Sequence, residues 1–216
     1  MAAVWIDDAQ RAEAEALGFT VVDPESVIVT HLTETIRRHA ADLLTRQDVR
    51  SLLDTLKTTN AAVVDEVIPD LLSVGELQRV LQALLHEGVS IRDLGAIVEV
   101  AGDRARMTRD PELLAEYARQ TLGRTIVSPY LDSERVLRAL TLDPAIEQEV
   151  SESIAQTPDG EYLAMDPARA QALVGALSNE VEDATARGRR PVLICSSRVR
   201  RHLRRLCEQQ MPQLSV

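Results

Sequence analysis

The sequence predicts a helix-rich α+β fold, and three observations carry that reading. Apolar residues recur at helical spacing through most of the chain, and four Asp-Pro pairs, at 23, 110, 143 and 166, each stand directly before such a stretch. Short β-favouring runs fall near the two ends and not in the middle, which predicts a partial small α/β subdomain, a helical subdomain and then a second small α/β subdomain. The 216 residues are enough to bury a real core in one to three units, and a composition 45% hydrophobic but only 2% aromatic makes that core aliphatic.

The chain opens on a short apolar run from Ala3 to Ile6, read as a strand, followed by a helix over Asp7 to Leu17 that Gly18 closes. Phe19 to Val22 reads as a second short strand. Asp23 and Pro24 then suit the N-cap and first position of a long helix, because the carboxylate can accept from the first-turn amides and proline leaves no amide hydrogen unpaired there. Ile28, Leu32, Ile36 and Ala40 fall four apart, with Val29 and Leu43 on the same flank, forming one apolar stripe against a partner. A strand at the start with only one candidate neighbour is marginal. The expectation is that the chain begins partway through a domain.

Helices are expected over Gln47 to Thr58, with Val49, Leu52, Leu53 and Leu56 inward, and over Ala61 to Ile68 before Pro69. From Gly75 the pattern is clearest: Leu77, Val80, Leu81, Leu84 and Leu85 make one buried stripe that ends at Gly88. Ser90-Ile91-Arg92-Asp93 reads as a cap, and the Ile91, Leu94, Ile97 and Val98 face answers the preceding helix in an αα-hairpin. Asp110-Pro111 opens a helix with Leu113, Leu114, Tyr117 and Leu122 inward, stopped at Gly123. Beyond it, strands at Val136 to Leu142, Tyr162 to Met165 and Pro191 to Cys195 alternate with helices starting at Asp143-Pro144, at Asp166-Pro167 and at Ser197. Leu214 to Val216 would begin one more strand.

Charge is unevenly spread. The formal total is −10, but residues 187–216 hold eight Arg and one acid, which leaves −17 for the first 186. Arg198, Arg201 and Arg205 share one helical face and Arg200 and Arg204 form a second row, flanking Val199, Leu203 and Leu206. Such a helix suits either an acidic or nucleic-acid partner or, as the favoured reading, ion pairs with this chain's own acidic surface, since no aromatics accompany it for base stacking. No nucleic-acid partner is therefore expected. Cys195 and Cys207 lack a C-x-x-C spacing and read as structural thiols of a reducing compartment. His31 and His39 are eight apart, too far for one metal ion unaided, and His86-Glu87 has no second histidine four on. Ser196-Ser197 lacks a G-x-S-x-G setting, and no phosphate-binding loop occurs, since Gly95 and Gly102 lie in a helical stretch. No cofactor, metal or enzymatic activity is expected. No apolar run approaches the roughly 20 residues that span a bilayer, so no direct membrane contact by these residues is expected either.

Three stretches together resemble a known family: Thr20-Val-Val-Asp-Pro24 with Thr30-His31-Leu32, Val80 to Asp93 with its Gly-Val-Ser-Ile-Arg-Asp hairpin, and Pro191-Val-Leu through Arg204-Arg205 to Met211-Pro-Gln-Leu214. Trp5-Ile6 and Leu122-Gly-Arg124 fit as well. They are similar to the C-terminal cytoplasmic domain of the flagellar type III export gate family, FHIPEP, and more distantly to its virulence-associated injectisome counterparts. The resemblance covers nearly the whole chain in order. It implies a transport component in which a membrane-embedded half carries a cytoplasmic part of four subdomains on the inner face of the bacterial inner membrane. That part assembles as a homo-oligomeric, nonameric ring, docks export chaperones with late substrates, and meets other export apparatus proteins, among them components of the ATPase complex.

On this resemblance residues 1–45 are the remainder of the first cytoplasmic subdomain, 46–125 the helical subdomain and 126–216 the C-terminal α/β subdomain, with the earlier subdomains, membrane region and extreme tail not included. The family's chaperone site is a hydrophobic dimple between its first two subdomains, and a threonine before a histidine matches Thr30, with Val22 and Val27 beside it. The resemblance places the remaining residues of that site before residue 1.

Overall fold

The structure, a computed structural model, describes residues 4–157 and 160–216. The chain forms two compact units, Met1–Leu122 and Gly123–Val216. In the first, a 3-10 turn (Asp8–Gln10) leads to α1 (Arg11–Ala16), α2 (Pro24–Arg38), α3 (Ala40–Leu43), α4 (Arg46–Lys57), α5 (Ala61–Val67), α6 (Val74–His86), α7 (Leu94–Ala105) and α8 (Pro111–Thr121). In the second, α9 (Gly123–Val127) and a 3-10 turn (Ser128–Tyr130) precede β1 (Leu140–Thr141), α10 (Pro144–Glu152), β2 (Ile154–Thr157), β3 (Gly160–Leu163), α11 (Pro167–Ala186), β4 (Leu193–Ile194) and α12 (Ser197–Cys207). The helix-rich α+β class holds.

All four Asp-Pro pairs start helices as local chemistry requires. The Asp23, Asp110, Asp143 and Asp166 carboxylates accept from the amides of Ser26, Glu112, Ala145 and Ala168 at 2.7 to 2.9 Å. Capping boxes open two further helices: Thr45 with Asp48 at α4, and Ser73 with Glu76 at α6.

The core of the first unit is aliphatic. The α6 residues Leu77, Val80, Leu81 and Leu84 are fully buried, with Leu114 and Ala118 of α8 and Ile97, Val98 and Ala101 of α7. The expected αα-hairpin is corrected, because α6 and α7 do not meet face to face. Both pack mainly on α8, α7 also on α5, and α6 also on α3 and α4. The cap reading of Ser90 is corrected too. Asp93 is the N-cap of α7, accepting from Ala96 at 3.3 Å, so Ile91 and Arg92 lie ahead of the helix. Gly102 is buried against α5, where a Cβ would lie inside the contact radius of Val67. This close approach is why glycine sits mid-helix.

The strands expected at the beginning of the chain do not form. Ala3 lies outside the described residues, and neither residues 4–6 nor 19–22 pair with another strand. Two short runs with no third strand bury too little to hold a sheet. The long helix read to residue 44 is interrupted at His39, giving α2 and α3. Residue 45 lies inside the first compact unit, where Ala41 is buried and α3 packs on α6. Gln82 donates to the Ala41 carbonyl at 3.1 Å, and Gln78 donates to the Leu44 carbonyl at 2.8 Å.

In the second unit β1 and β4 are shorter than the runs Val136 to Leu142 and Pro191 to Cys195, and β3 starts two residues before the expected Tyr162 and ends at Leu163, where the hairpin register with β2 sets it. β1 pairs in parallel with β4, Leu140 opposite Leu193, and Val192 makes a single parallel bridge to Ser215, the one trace of the expected final strand. The antiparallel hairpin of β2 and β3 matches Ile154 to Leu163, and sequence reading missed β2. Val150, Leu177, Val181, Leu193, Val199 and Leu203 form the core between α10, α11, α12 and β4.

Two outcomes follow. Leu81→Ala should cost about 2 to 5 kcal/mol in urea unfolding of the chain, the range for emptying a fully packed site; a loss under 1 kcal/mol would contradict the packing. Hydrogen bonds from the Ser73 backbone and hydroxyl, with the Arg109 guanidinium at 3.0 Å, lower the Glu76 carboxyl from 4.5 to about 2. Because the folded value lies below the unfolded one, this carboxylate's stabilisation is fully present above pH 4.5 and is lost as pH falls toward about 2. Glu76→Gln should flatten the unfolding midpoint across that window.

Candidate functional site

The first turn of α2 is built rigidly from its own sequence. Asp23 accepts from both the amide and the hydroxyl of Ser26, each at 2.7 Å, and Pro24 fixes the first helical position. The Ser26 amide, then its hydroxyl, hold the Asp23 carboxyl below its usual value. On this turn Val22 is 52% and Val27 39% exposed, and Thr30 is exposed one turn further on. At 3.6 residues per turn Val27 and Thr30 share one side of α2, while Ile28, Leu32 and Ile36 share the other.

That second side was read as a stripe against a partner, and within the described residues nothing covers it. Ile28 is 63%, Leu32 55% and Ile36 49% exposed, and no residue of α2 is buried. Trp5 and Phe19 are likewise exposed nearby in sequence. A 15-residue helix with no buried face is marginal in water, so α2 relies on its cap and on its junction with α3. Chemically the site offers one hydroxyl on a valine-lined turn and an uncovered aliphatic stripe opposite. Such a surface can seat an amphipathic helix.

The arginine helix, α12, is occupied internally. Arg201 pairs with Glu161 of β3, and the Arg200 and Arg204 guanidiniums donate to the carbonyls of Val216 at 3.0 Å and Leu214 at 2.7 Å. Arg200 and Arg201 are buried and Arg198 is exposed. Sequence reading missed the bonds to backbone carbonyls; the i, i+4 spacing of Arg200 and Arg204 was visible, but its target was not. His202 is buried as well, whereas His31, His39 and His86 are exposed. Ser196 takes the N-cap place of α12, yet its side chain makes no cap bond, and Glu147 of α10 accepts its amide at 2.9 Å. A shallow groove beside this pair is lined by Pro144, Glu147, Gln148, Ser151, Glu152 and Ser196. Cys195 and Cys207 are unbridged, and burial pushes the Cys207 thiol up to about 11. Among the described residues no group of three His, Cys, Asp or Glu side chains could hold a metal ion.

The described residues make a two-unit, helix-rich α+β chain that presents an uncovered helix. The chain belongs to the FHIPEP family, whose model matches residues 1–216. Its relatives include the flagellar biosynthesis protein FlhA of Bacillus subtilis, 40% identical over 214 residues, and that of Borreliella burgdorferi, 41% identical over 213. Each alignment covers 99% of this chain but only 32% and 30% of the relative, so the chain spans about a third of their length. Among solved structures, the Chlamydia pneumoniae CdsV protein matches with a TM-score of 0.84 at 28% identity, over 100% of this chain and 62% of the other. The nonameric EPEC SctV-C, solved by cryo-EM, matches with a TM-score of 0.82 at 28% identity, over 97% of this chain and 63% of the other.

Because the α2 stripe is uncovered, Leu32→Ser in this chain should change its unfolding free energy by no more than about 0.5 kcal/mol, as for ordinary surface positions. A loss above about 2 kcal/mol in chemical denaturation would show that the stripe is packed.

Proposed function

We propose that this chain is part of the cytoplasmic docking platform of the flagellar type III export gate. It receives export chaperones carrying late substrates and other export apparatus proteins, among them components of the ATPase complex. The observation that carries the reading is the exposed first turn of α2, where Val22, Val27 and Thr30 stand on a fixed backbone. The FlhA relatives support the flagellar assignment, since their identities of 40% and 41% exceed the 28% shared with CdsV and SctV-C. A virulence secretion gate is the second reading.

The nonameric state of SctV-C supports a homo-oligomeric ring for the whole protein, and a solved complex of CdsV with CdsO, TM-score 0.81 at 28% identity, supports binding of a further protein. On this reading residues 1–45, 46–125 and 126–216 act as three successive subdomains on the cytoplasmic side of the inner membrane. Among the described residues no helix is long and apolar enough to cross a membrane. The chain works by binding and rearrangement, without catalysis, cofactor or nucleic acid. On this reading the rest of the chaperone dimple lies in the part of the longer relatives that this chain does not span.

The test is a titration of labelled chaperone with cargo against a form extended by the upstream segment. The extended form should bind and this chain alone should bind weakly or not at all; Thr30→Met in the extended form should weaken binding about ten-fold, a loss of about 1.4 kcal/mol. Equal binding by the extended wild type and the Thr30→Met variant would remove Thr30 from the site. A parallel titration with mixed DNA should show no salt-dependent binding at physiological salt.

A further inference from the structure

The inward face of α12 carries a titratable group that the docking reading does not use. His202 is 2% exposed, and its Nε2 has no hydrogen-bond partner. The nearest acid is Glu161 of β3, whose Oε2 lies 3.6 Å away and is already paired with Arg201. β2 and β3 form a two-stranded hairpin of four residues a side, which is marginal by itself. The Glu161 carboxylate ties this hairpin to α12 beside the apolar packing of Ile154 and Leu163 on the shared core.

We propose that His202 makes the β2–β3 hairpin an acid-released clasp: it stays docked on α12 while the imidazole is neutral and lets go when the ring gains a proton. Three charged groups act on the imidazole: Glu161 from β3, and Arg201 and Arg205 from α12 itself. From α10 and α11, Val150, Leu177 and Val181 share the apolar core with Val199 and Leu203 of α12. A proton on His202 would set a second cation beside the buried Arg201 guanidinium, and the two would have to share the one Glu161 carboxylate. With that carboxylate already engaged by Arg201, moving the charged ring to water is the easier course.

The electrostatics agree in sign. Burial and then Arg201 hold the His202 ring below the ordinary imidazole range, and the opposing pull of Glu161 does not cancel them. Burial raises the Glu161 carboxyl, but Arg201 outweighs this and keeps it net below its usual value, so Glu161 remains charged where His202 titrates. The undocked state takes up its proton near the ordinary value of about 6.5 and the docked state only below that. Stability of the docked hairpin is thus full above about pH 6.5 and declines as pH falls from there toward the docked value.

Hydrogen exchange followed by NMR on the whole chain tests this, with protection factors corrected for the intrinsic pH effect. Across pH 7.5 to 5.5 the amides of Ile154 to Thr157 and Gly160 to Leu163 should lose protection three- to ten-fold per pH unit below about 6.5, the limit for one proton being ten-fold. The amides of Leu177 and Val181 in α11 should hold theirs. His202→Gln, neutral throughout, should abolish the loss, with His202→Phe as the second neutral variant should Gln pack poorly. In the wild-type chain the His202 ring resonance should titrate below the ordinary imidazole value of about 6.5. Flat hairpin protection, a loss that persists in the neutral variants, or His202 titrating at or above about 6.5 would overturn the proposal.

Discussion

The packing of α8 between α6 and α7 is the constraint on which the first unit depends. Ala115 and Ala118 are buried on α8, and these small side chains let the neighbouring helices approach closely while Leu114 fills the gap between them. Ion pairs fix the register at two places, Arg109 with Glu76 at 3.0 Å and Arg119 with Glu87 at 3.1 Å. With α6 held in this way, its polar side presents Gln82 to the Ala41 carbonyl of α3 and Gln78 to the carbonyl of Leu44 just after it. That contact sets α3, and α3 sets α2. A surface helix with no buried residue of its own is thus placed by a relay of packing and side-chain-to-backbone bonds that begins in the core.

This arrangement accounts for the combination of a firm frame and an uncovered binding element. The helical core has the burial needed to withstand the loss of partners, while α2 keeps its shape through Asp23, Ser26 and Pro24 and remains open on both sides. The second unit follows a different logic. Its sheets are only two strands wide, and charged side chains join the pieces: Arg201 to the hairpin, Arg200 and Arg204 to the C-terminal carbonyls, and Arg169 to Glu149 of α10 at 2.6 Å. The basic excess of residues 187–216 is in good part structural.

What could be read from sequence divides along the same line between local and distant causes. The Asp-Pro starts and the α6 stripe were legible because a cap needs only the next three residues and a helical face only its own spacing. Strands were legible in place but not in extent: the runs Val136 to Leu142 and Pro191 to Cys195 contain β1 and β4, and Tyr162 to Met165 overlaps β3. A run such as Phe19 to Val22, however, becomes a strand only if a partner lies beside it, and the two-residue length of β1 and β4 is set by a crossover across half the unit. The αα-hairpin misled because adjacent amphipathic helices look complementary even when a third helix fills the space between them. The apolar stripe of α2 was legible as a face in want of cover, but a stripe does not say what covers it. The arginines were visible as charge, while carbonyls of the C-terminal segment as their targets were not.

The central claim is that α2 is a surface for other protein, and the protection of its own amides reports on that most directly. Hydrogen exchange over residues 24–38 should be measured in this chain alone, and then in an extended form without and with chaperone and cargo bound, against α6 as the internal standard. The account predicts fast exchange in α2 relative to α6 in the chain alone, and protection rising at least ten-fold when the extended form holds its partner. If α2 were already as protected as α6 in the chain alone, or gained nothing in the complex, the account would be contradicted.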